Sequence, residues 1–202
     1  MSKNTPLLSA TKIGRKTCPW VPTTKQFYVD YHDNEWGVPV HDDRKHFEML
    51  ILEGAQAGLS WETVLKKRAG YRAAFYNFDP VKVAAMSDAE LEALRSNPAI
   101  IRNRLKINAA RKNAIAFLAI QKEFGSFDAY IWQIVGDKQK VNRWQTLDQI
   151  PASTPESDRI AKDLKKRGMT FVGTTIIYAY LQAAGLVNDH VVDCFRYDAS
   201  CS

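Results

Sequence analysis

Apolar residues recur at every third or fourth position along most of the chain, which is the spacing of one face of an α-helix. Phe47, Leu50, Ile51 and Gly54 show this spacing, and Ser87 opens a shorter segment with the residues of a capping box. On this basis we predict seven helices, over residues 44–57, 60–75, 87–94, 103–124, 126–135, 154–167 and 174–184.

The alternating pattern of a half-buried β-strand is nearly absent. Residues 26–31 are the best candidate for a strand, and the candidate is short. Residues 136–153 are polar and contain Pro151, so we predict a long surface loop there. The fold is therefore predicted to be all-α, with a disordered basic leader over residues 1–17 and a single domain over residues 18–202.

Composition and charge restrict the class of protein further. The 202 residues include 28 Lys and Arg against 22 Asp and Glu, and this positive excess suits a polyanionic partner such as nucleic acid. No run approaches the roughly 18 apolar residues that span a bilayer, and the first 17 residues lack the apolar core of a secretory signal. Three cysteines, an odd number, favour a reducing compartment. We expect a cytoplasmic monomer that binds no membrane.

Two cysteines and two histidines form pairs near the two ends of the chain. Cys18 and His32 lie near the start, whereas His190 and Cys194 lie one helical turn apart near the end. A Cys2His2 set is a closed tetrahedral shell for structural Zn²⁺, and here it would join the two termini. Spacing alone leaves open that the four are isolated buried residues. The competing ligands are His41, His46 and Cys201.

Residues 164–175 (LKKRGMTFVGTT) lie between two predicted helices and have the pattern of a phosphate-binding turn. Gly168 ends one helix, and Gly173 allows the backbone to approach a neighbour closely. Thr174 and Thr175 then open the next helix with free N–H groups, which attract phosphate. The pattern resembles a helix-hairpin-helix, which binds DNA without reading its sequence. The alternative is an ordinary helical corner with a solvated basic end.

Aromatic and acidic residues are concentrated between Tyr31 and Trp61. Glu53 lies among apolar residues, at a position where a carboxyl group needs a partner or a function. Aromatic rings around an acid form a receptor for a flat, positively charged base. The same composition is also compatible with a packed core and solvated charges.

Four segments together resemble the signature segments of the DNA-3-methyladenine glycosylase I family. They are residues 31–39 (YHDNEWGVP), 53–61 (EGAQAGLSW), 171–175 (FVGTT) and 185–190 (GLVNDH), and the similarity extends from about Cys18 to Cys194. The resemblance implies a helix-hairpin-helix glycosylase fold of two helical lobes that share a core, with the hairpin element at about residues 156–184. It also implies one structural Zn²⁺ held by Cys18, His32, His190 and Cys194.

The resemblance further implies an enzyme that hydrolyses the N-glycosidic bond of 3-methyladenine in alkylated double-stranded DNA. The nucleotide is extruded from the duplex, the free base is released, and an abasic site remains without strand cleavage. By motif position Glu53 is the base-binding and catalytic acid. The implied aromatic walls of the base site are Trp20, Tyr31, Trp36 and Trp61. The implied DNA contacts are Gly58, Leu59 as the wedge, Lys166, Gly168, Gly173, Thr174 and Thr175.

Asp189 is the first acid after the hairpin, where many helix-hairpin-helix glycosylases have a catalytic aspartate. It directly precedes the predicted ligand His190, so we do not expect it to fill that role. A metalloenzyme with catalytic zinc is disfavoured, because four protein ligands would leave the ion no open position. Two other alternative functions remain. One is a zinc-stabilised DNA-binding module without catalysis, and the other is a glycosylase that accepts a wider range of alkylated bases, such as 7-methylguanine.

Overall fold

The structure, a computed structural model, describes residues 15–199, and these fold almost entirely into helices. The α-helices are α1 Gln26–Asn34, α2 Asp43–Gln56, α3 Trp61–Ala74, α4 Pro80–Ala84, α5 Asp88–Ala93, α6 Arg104–Phe124, α7 Phe127–Val135, α8 Pro155–Lys166, α9 Thr174–Ala183 and α10 Arg196–Ala199. Short 3-10 turns occupy Tyr76–Phe78, Leu94–Ser96 and Leu147–Gln149. Two-residue strands, β1 Lys140–Val141 and β2 Val187–Asn188, pair in parallel.

All seven predicted helices are present, and polar caps explain where most of them begin. The Ser87 side chain accepts a hydrogen bond from the Glu90 backbone, and the Glu90 side chain bonds back in the predicted capping box. Asn103 caps α6 by accepting from two backbone N–H groups, and Thr154 caps α8 before Pro155. The prediction of a mostly helical fold is confirmed.

The prediction of a strand at residues 26–31 is wrong, because this segment is the main part of α1. Aromatic and β-branched residues gave it strand propensity, but that preference is weak beside tertiary burial. The helix places Tyr28, Tyr31 and His32 at helical spacing, and the last two are buried. The predicted loop at 136–153 also differs in part, since it contains β1 and a 3-10 turn.

Helix α2 lies at the centre of the fold and packs against α3, α6, α7 and α9. Its residue Phe47 is fully buried, with its ring centroid 5.2 Å from that of Phe117 in α6. Phe117 in turn stacks on Phe127 of α7 at 4.3 Å. Helices α8 and α9 pack against each other, and α9 also packs against α2. This arrangement brings the end of α2 next to the start of α9.

The start and end of the described chain lie side by side. The carbonyl of Lys16 accepts a hydrogen bond from the Phe195 backbone at 2.9 Å, and the guanidinium of Arg15 lies 5.0 Å from the Phe195 ring centroid. Residues 15–17, at the end of the predicted leader, therefore contact the other end of the described chain, while residues 1–14 lie outside the described part. Within residues 15–199 no helix is both long and apolar enough to cross a membrane.

Candidate functional site

A cavity of about 260 Å³ lies between α1, the end of α2, the start of α3 and α9. The structure brings all five predicted base-site residues to its wall, although they come from separate parts of the sequence. The lining residues are Trp20, Tyr28, Tyr31, Trp36, Glu53, Gln56, Trp61, Ile150, Ala179 and Gln182.

Aromatic rings form most of this wall and support one another. Trp20 meets Trp36 edge to face at 4.9 Å between ring centroids, and Tyr31 lies 5.3 Å from Trp61. The indole Nε1 of Trp61 is buried and has no hydrogen-bond partner among the described residues. A buried donor without a partner is costly, so this N–H group is an unsatisfied polar group within the wall of the cavity.

Glu53 stands in the last turn of α2 and is only 4% exposed. Burial raises the pKa of its carboxyl group to about 8, because the surrounding wall disfavours a charge. Burial also raises the pKa of the Tyr31 hydroxyl well above its usual value, and the nearby Glu53 adds to the rise. The cavity therefore combines an acid that titrates near neutral pH with a neutral phenol.

Half of the lining residues are not among the predicted base-site residues. Tyr28 follows from helical spacing once α1 is recognised, since it lies one turn before Tyr31 and His32. Gln182 is held from behind, because its Nε2 donates to Asp189 Oδ2 at 2.8 Å. No local pattern marks Ile150, which reaches the cavity from the irregular segment between α7 and α8.

Asp189 does not line this cavity; it is 1% exposed and organises the structure behind the cavity wall. Its Oδ1 accepts hydrogen bonds from Asn142 Nδ2 and Trp144 Nε1, both at 2.7 Å. Its Oδ2 accepts from the Tyr178 hydroxyl at 2.6 Å and from Gln182. Among the described residues, these four donors satisfy the carboxylate.

The four predicted metal ligands converge in one buried cluster, with their ligand atoms all within 4.8 Å of one another. Cys18 Sγ lies 3.4 Å from His190 Nδ1, and Cys194 Sγ lies 3.4 Å from His32 Nε2. The other histidines are elsewhere, since His41 and His46 both contact Asp128. Cys201, the remaining competing ligand, lies outside the described residues.

Hydrogen bonds on the far side of each imidazole fix its orientation. His32 Nδ1 lies 2.7 Å from Asp33 Oδ1, and His190 Nε2 lies 3.1 Å from the carbonyl oxygen of Trp36. Both oxygens act as acceptors, so these nitrogens are the donors, and the second ring nitrogen of each histidine faces a cysteine. Such outer partners are typical of metal-binding histidines, and the donor set fits a divalent metal ion.

A second cavity, of about 190 Å³, adjoins the first and shares Glu53, Gln56 and Ala179 with it. It lies between the loop at Gly58 and Leu59 and the first turn of α9 at Thr175 and Ile176. The Leu59 side chain is apolar yet 42% exposed at its edge. Predicted DNA contacts from two distant segments therefore flank a groove that leads to Glu53.

The hairpin between α8 and α9 has the predicted turn but differs in two details. Gly168 has a φ of +95°, which other residues adopt at a cost, and Lys166 is exposed. Gly173 caps α9 without a side-chain hydrogen bond, and a Cβ there would meet no described atom, so close packing does not explain this glycine. The Thr174 hydroxyl faces α8, where it donates to Asp158 at 2.5 Å. At this end of α9 the backbone rather than the Thr174 side chain is the candidate phosphate contact.

The helical fold, the aromatic cavity around a buried acid and the Cys/His cluster together point to one class of protein. Residues 20–197 match the family described as "Methyladenine glycosylase", and the chain belongs to this family. The family that the sequence resembles is thereby confirmed.

Relatives and solved structures match over most of their length. The chain is 53% identical over 180 residues to "DNA-3-methyladenine glycosylase 1" of Escherichia coli (strain K12), covering 89% of this chain and 96% of that protein. It is 49% identical over 177 residues to "DNA-3-methyladenine glycosylase" of Haemophilus influenzae, covering 88% and 95%. A crystal structure of 3-methyladenine DNA glycosylase I superposes with a TM-score of 0.87 at 53% identity, covering 89% of this chain and 98% of that one. The Staphylococcus aureus enzyme, whose structure addresses 3-methyladenine recognition, superposes with a TM-score of 0.84 at 36% identity, covering 86% and 92%.

Proposed function

We propose that this chain is a DNA glycosylase that hydrolyses the N-glycosidic bond of 3-methyladenine in alkylated double-stranded DNA. It releases the free base and leaves an abasic site. The observation that carries the proposal is the buried Glu53 carboxyl in a cavity of about 260 Å³ walled by aromatic rings. Family membership and the names of close relatives support the same activity.

The wall of the cavity suits an alkylated adenine that is still attached to DNA. Methylation at N3 gives the base a positive charge, and electron-rich indole and phenol faces attract a flat cation. Trp20, Trp36 and Trp61 supply such faces. An undamaged, neutral base gains less from this wall, so the cavity discriminates by charge as well as by shape.

Glu53 recognises the edge of the extruded base. Its pKa near 8 means that the empty site holds mostly the neutral acid at neutral pH. A cationic base close to the carboxyl favours the ionised form, which then accepts hydrogen bonds from the exocyclic amino group of adenine. The interaction is strong because the surrounding wall excludes water.

Departure of the base needs little further help, because a positively charged base is already a good leaving group. Water attacks the anomeric carbon as the bond to the base breaks. Among the described residues that line the cavity there is no lysine, and therefore no amine to form a Schiff base with the sugar. This supports a monofunctional glycosylase that leaves the DNA strand intact.

The Cys18, His32, His190 and Cys194 cluster would hold one structural Zn²⁺. Four protein ligands close the tetrahedral shell and leave no position for substrate. When bound, the ion supplies a rigid crosslink between the two ends of the domain. Both thiols must remain reduced for this, which fits a cytoplasmic protein.

The loop at Gly58 and Leu59 and the hairpin within residues 156–184 would contact the DNA. Leu59 fills the gap left by the extruded nucleotide, since its exposed apolar side chain stands at the groove that leads to Glu53. The exposed Lys166 and the backbone of Gly168, Gly173 and Thr175 bind phosphates. We propose that residues 18–202 form one domain that acts as a monomer.

The test is chromatography of the bases that the wild-type protein releases from methylated duplex DNA. We expect free 3-methyladenine, intact strands before alkali treatment and cleavage at abasic sites after it. Release of 7-methylguanine as well would favour the glycosylase of wider range. Binding of the duplex by folded, zinc-loaded protein without release of any base would favour the DNA-binding module.

A further inference from the structure

Helix α6 contacts the backbone of the loop that carries Leu59. The ammonium group of Lys106 donates to the carbonyl oxygens of Ala55 at 2.8 Å and Ala57 at 2.6 Å. These carbonyls stand at the end of α2, where the last backbone acceptors of a helix have no partners within the helix. Lys106 therefore ties the beginning of the 57–60 loop to α6.

The same helix also contacts the hairpin between α8 and α9. Asn113 is 3% exposed, and its side-chain amide pairs with the backbone of Thr170 in both directions. Nδ2 donates to the Thr170 carbonyl at 2.9 Å, and Oδ1 accepts from the Thr170 N–H at 2.8 Å. This pairing leaves Thr170 little freedom, and it fixes the hairpin on α6.

Lys106 and Asn113 are seven residues apart, so they lie on one face of α6 about 10 Å apart along its axis. The face between them carries the small residues Ala109 and Ala110, and it lines a narrow cavity together with Gly54 and Phe171. A Cβ on Gly54 would come within 3.2 Å of Phe171, so α2 and the hairpin are also in close contact with each other.

We propose that Lys106 and Asn113 are positioning residues that hold the Leu59 loop and the hairpin at a fixed separation. The inference rests on the proposed function, in which Leu59 enters the duplex and the hairpin binds its phosphates. With the separation fixed by a rigid helix, phosphate binding by the hairpin places Leu59 at the damaged position. Neither residue lines the cavity around Glu53, so neither contributes to binding of the free base.

A comparison of two ligands separates this role from a general contribution to folding. One ligand is a duplex that contains a stable abasic analogue, which needs both loops, and the other is free 3-methyladenine, which needs only the cavity. We expect Lys106→Met to weaken binding of the duplex about 10-fold, in line with the loss of charged hydrogen bonds, and to change free-base binding less than about 2-fold. Lys112→Met is the matched control, because Lys112 is an exposed lysine of the same helix.

A double-mutant cycle tests whether Lys106 acts through Leu59. In the Leu59→Ala background we expect Lys106→Met to change duplex binding less than about 2-fold, because the side chain that it positions is gone. Lys106→Arg should restore part of the affinity, since a guanidinium can still donate to both carbonyls. Asn113→Ala should show the same selective loss of duplex binding, and it replaces Lys106→Met as the test variant if Lys106→Met does not fold.

Three results would overturn the inference. The first is that folded variants lose affinity for the duplex and for the free base equally. The second is that Lys106→Met weakens duplex binding as much in the Leu59→Ala background as in the wild type. The third is that Lys112→Met weakens duplex binding as much as Lys106→Met does. A wild-type protein that binds the free base but no abasic duplex would instead contradict the proposed DNA contacts. Failure of the positioning role can therefore be distinguished from failure of the proposed DNA contacts.

Discussion

His190 packs edge to face against Trp36, with ring centroids 4.6 Å apart, and its Nε2 donates to the Trp36 carbonyl at 3.1 Å. Trp36 also lines the cavity around Glu53. On the other side of the cluster, His32 meets the ring of Trp20, a second wall residue, at 5.3 Å. The rings of Trp20 and Trp36 therefore contact the proposed zinc cluster and also line the base cavity.

Removal of the metal is expected to destabilise the protein and loosen the cavity. An ion present at about 100 times its Kd contributes about 2.7 kcal/mol to the free energy of unfolding. Cys194→Ser or chelation should therefore lower the melting temperature, reduce one bound zinc per chain to none, and change the tryptophan fluorescence. Cys201→Ser is the matched control and should retain the zinc. Full stability of a metal-free Cys194→Ser protein would argue against a structural ion.

Loss of one aromatic wall is expected to weaken binding of the free base. Trp20→Ala should raise the Kd for 3-methyladenine about 10-fold, because stacking on an aromatic side chain contributes about 1–3 kcal/mol per base. Fluorescence titration or calorimetry measures this directly. Phe27→Ala removes an exposed ring outside the cavity and should leave the Kd unchanged. If the two substitutions raised the Kd equally, this result would contradict a role of the Trp20 ring in binding the base.

The raised pKa of Glu53 predicts a pH dependence of stability with a definite sign. The folded protein keeps the proton up to about pH 8, whereas an unfolded glutamate loses it near 4.5. Between these values the unfolded state binds fewer protons, so stability falls as pH rises. Relative to Glu53→Gln, the wild type should lose about 2 to 3 kcal/mol of unfolding free energy from pH 6 to pH 8. Parallel denaturation profiles for the two proteins over that range would show that Glu53 is not desolvated.

Asp189→Asn is expected to act on stability rather than on chemistry. An amide in place of the carboxylate turns one acceptor into a donor that faces existing donors, at a cost of about 2–4 kcal/mol. Catalytic turnover per folded, zinc-loaded molecule should stay within a few-fold of the wild type. Asp193→Asn is the control, since Asp193 is exposed and pairs only with exposed Lys16 among the described groups. A folded, zinc-loaded but inactive Asp189→Asn protein would make Asp189 a catalytic residue.

The fold was predictable where local chemistry and tertiary packing agree. Ser87, Asn103 and Thr154 are residue types that favour helix N-termini, because their side chains accept hydrogen bonds from backbone N–H groups of the first turn. Each of them caps a helix in the structure. Residues 26–31 show the opposite case, because their side chains favour a strand while the structure has a helix there that buries Tyr31. Local propensity could not reveal this, since the partners of Tyr31 lie far away in the chain.

The site was predictable only as far as its motifs extend. Glu53 and the four aromatic positions fall within recognisable segments or beside the Cys18 ligand, and the structure gathers them in one cavity. Gln182 and Ile150 carry no such signal, because their place in the wall depends on how α9 and the segment before α8 pack. The hydrogen bonds from α6 to the 57–60 loop and to the hairpin likewise have no sequence signal, since Lys106 is one of many lysines.

The most direct test of the account compares the rate of 3-methyladenine release from methylated duplex DNA by the wild type, Glu53→Gln and the exposed control Glu92→Gln. We expect release by the wild type, an unchanged rate for the control, and a rate at least about 100-fold lower for Glu53→Gln, because its amide cannot supply the charge that the cationic base requires. Release by Glu53→Gln at the wild-type rate, in folded protein, would contradict the central role of this carboxyl group.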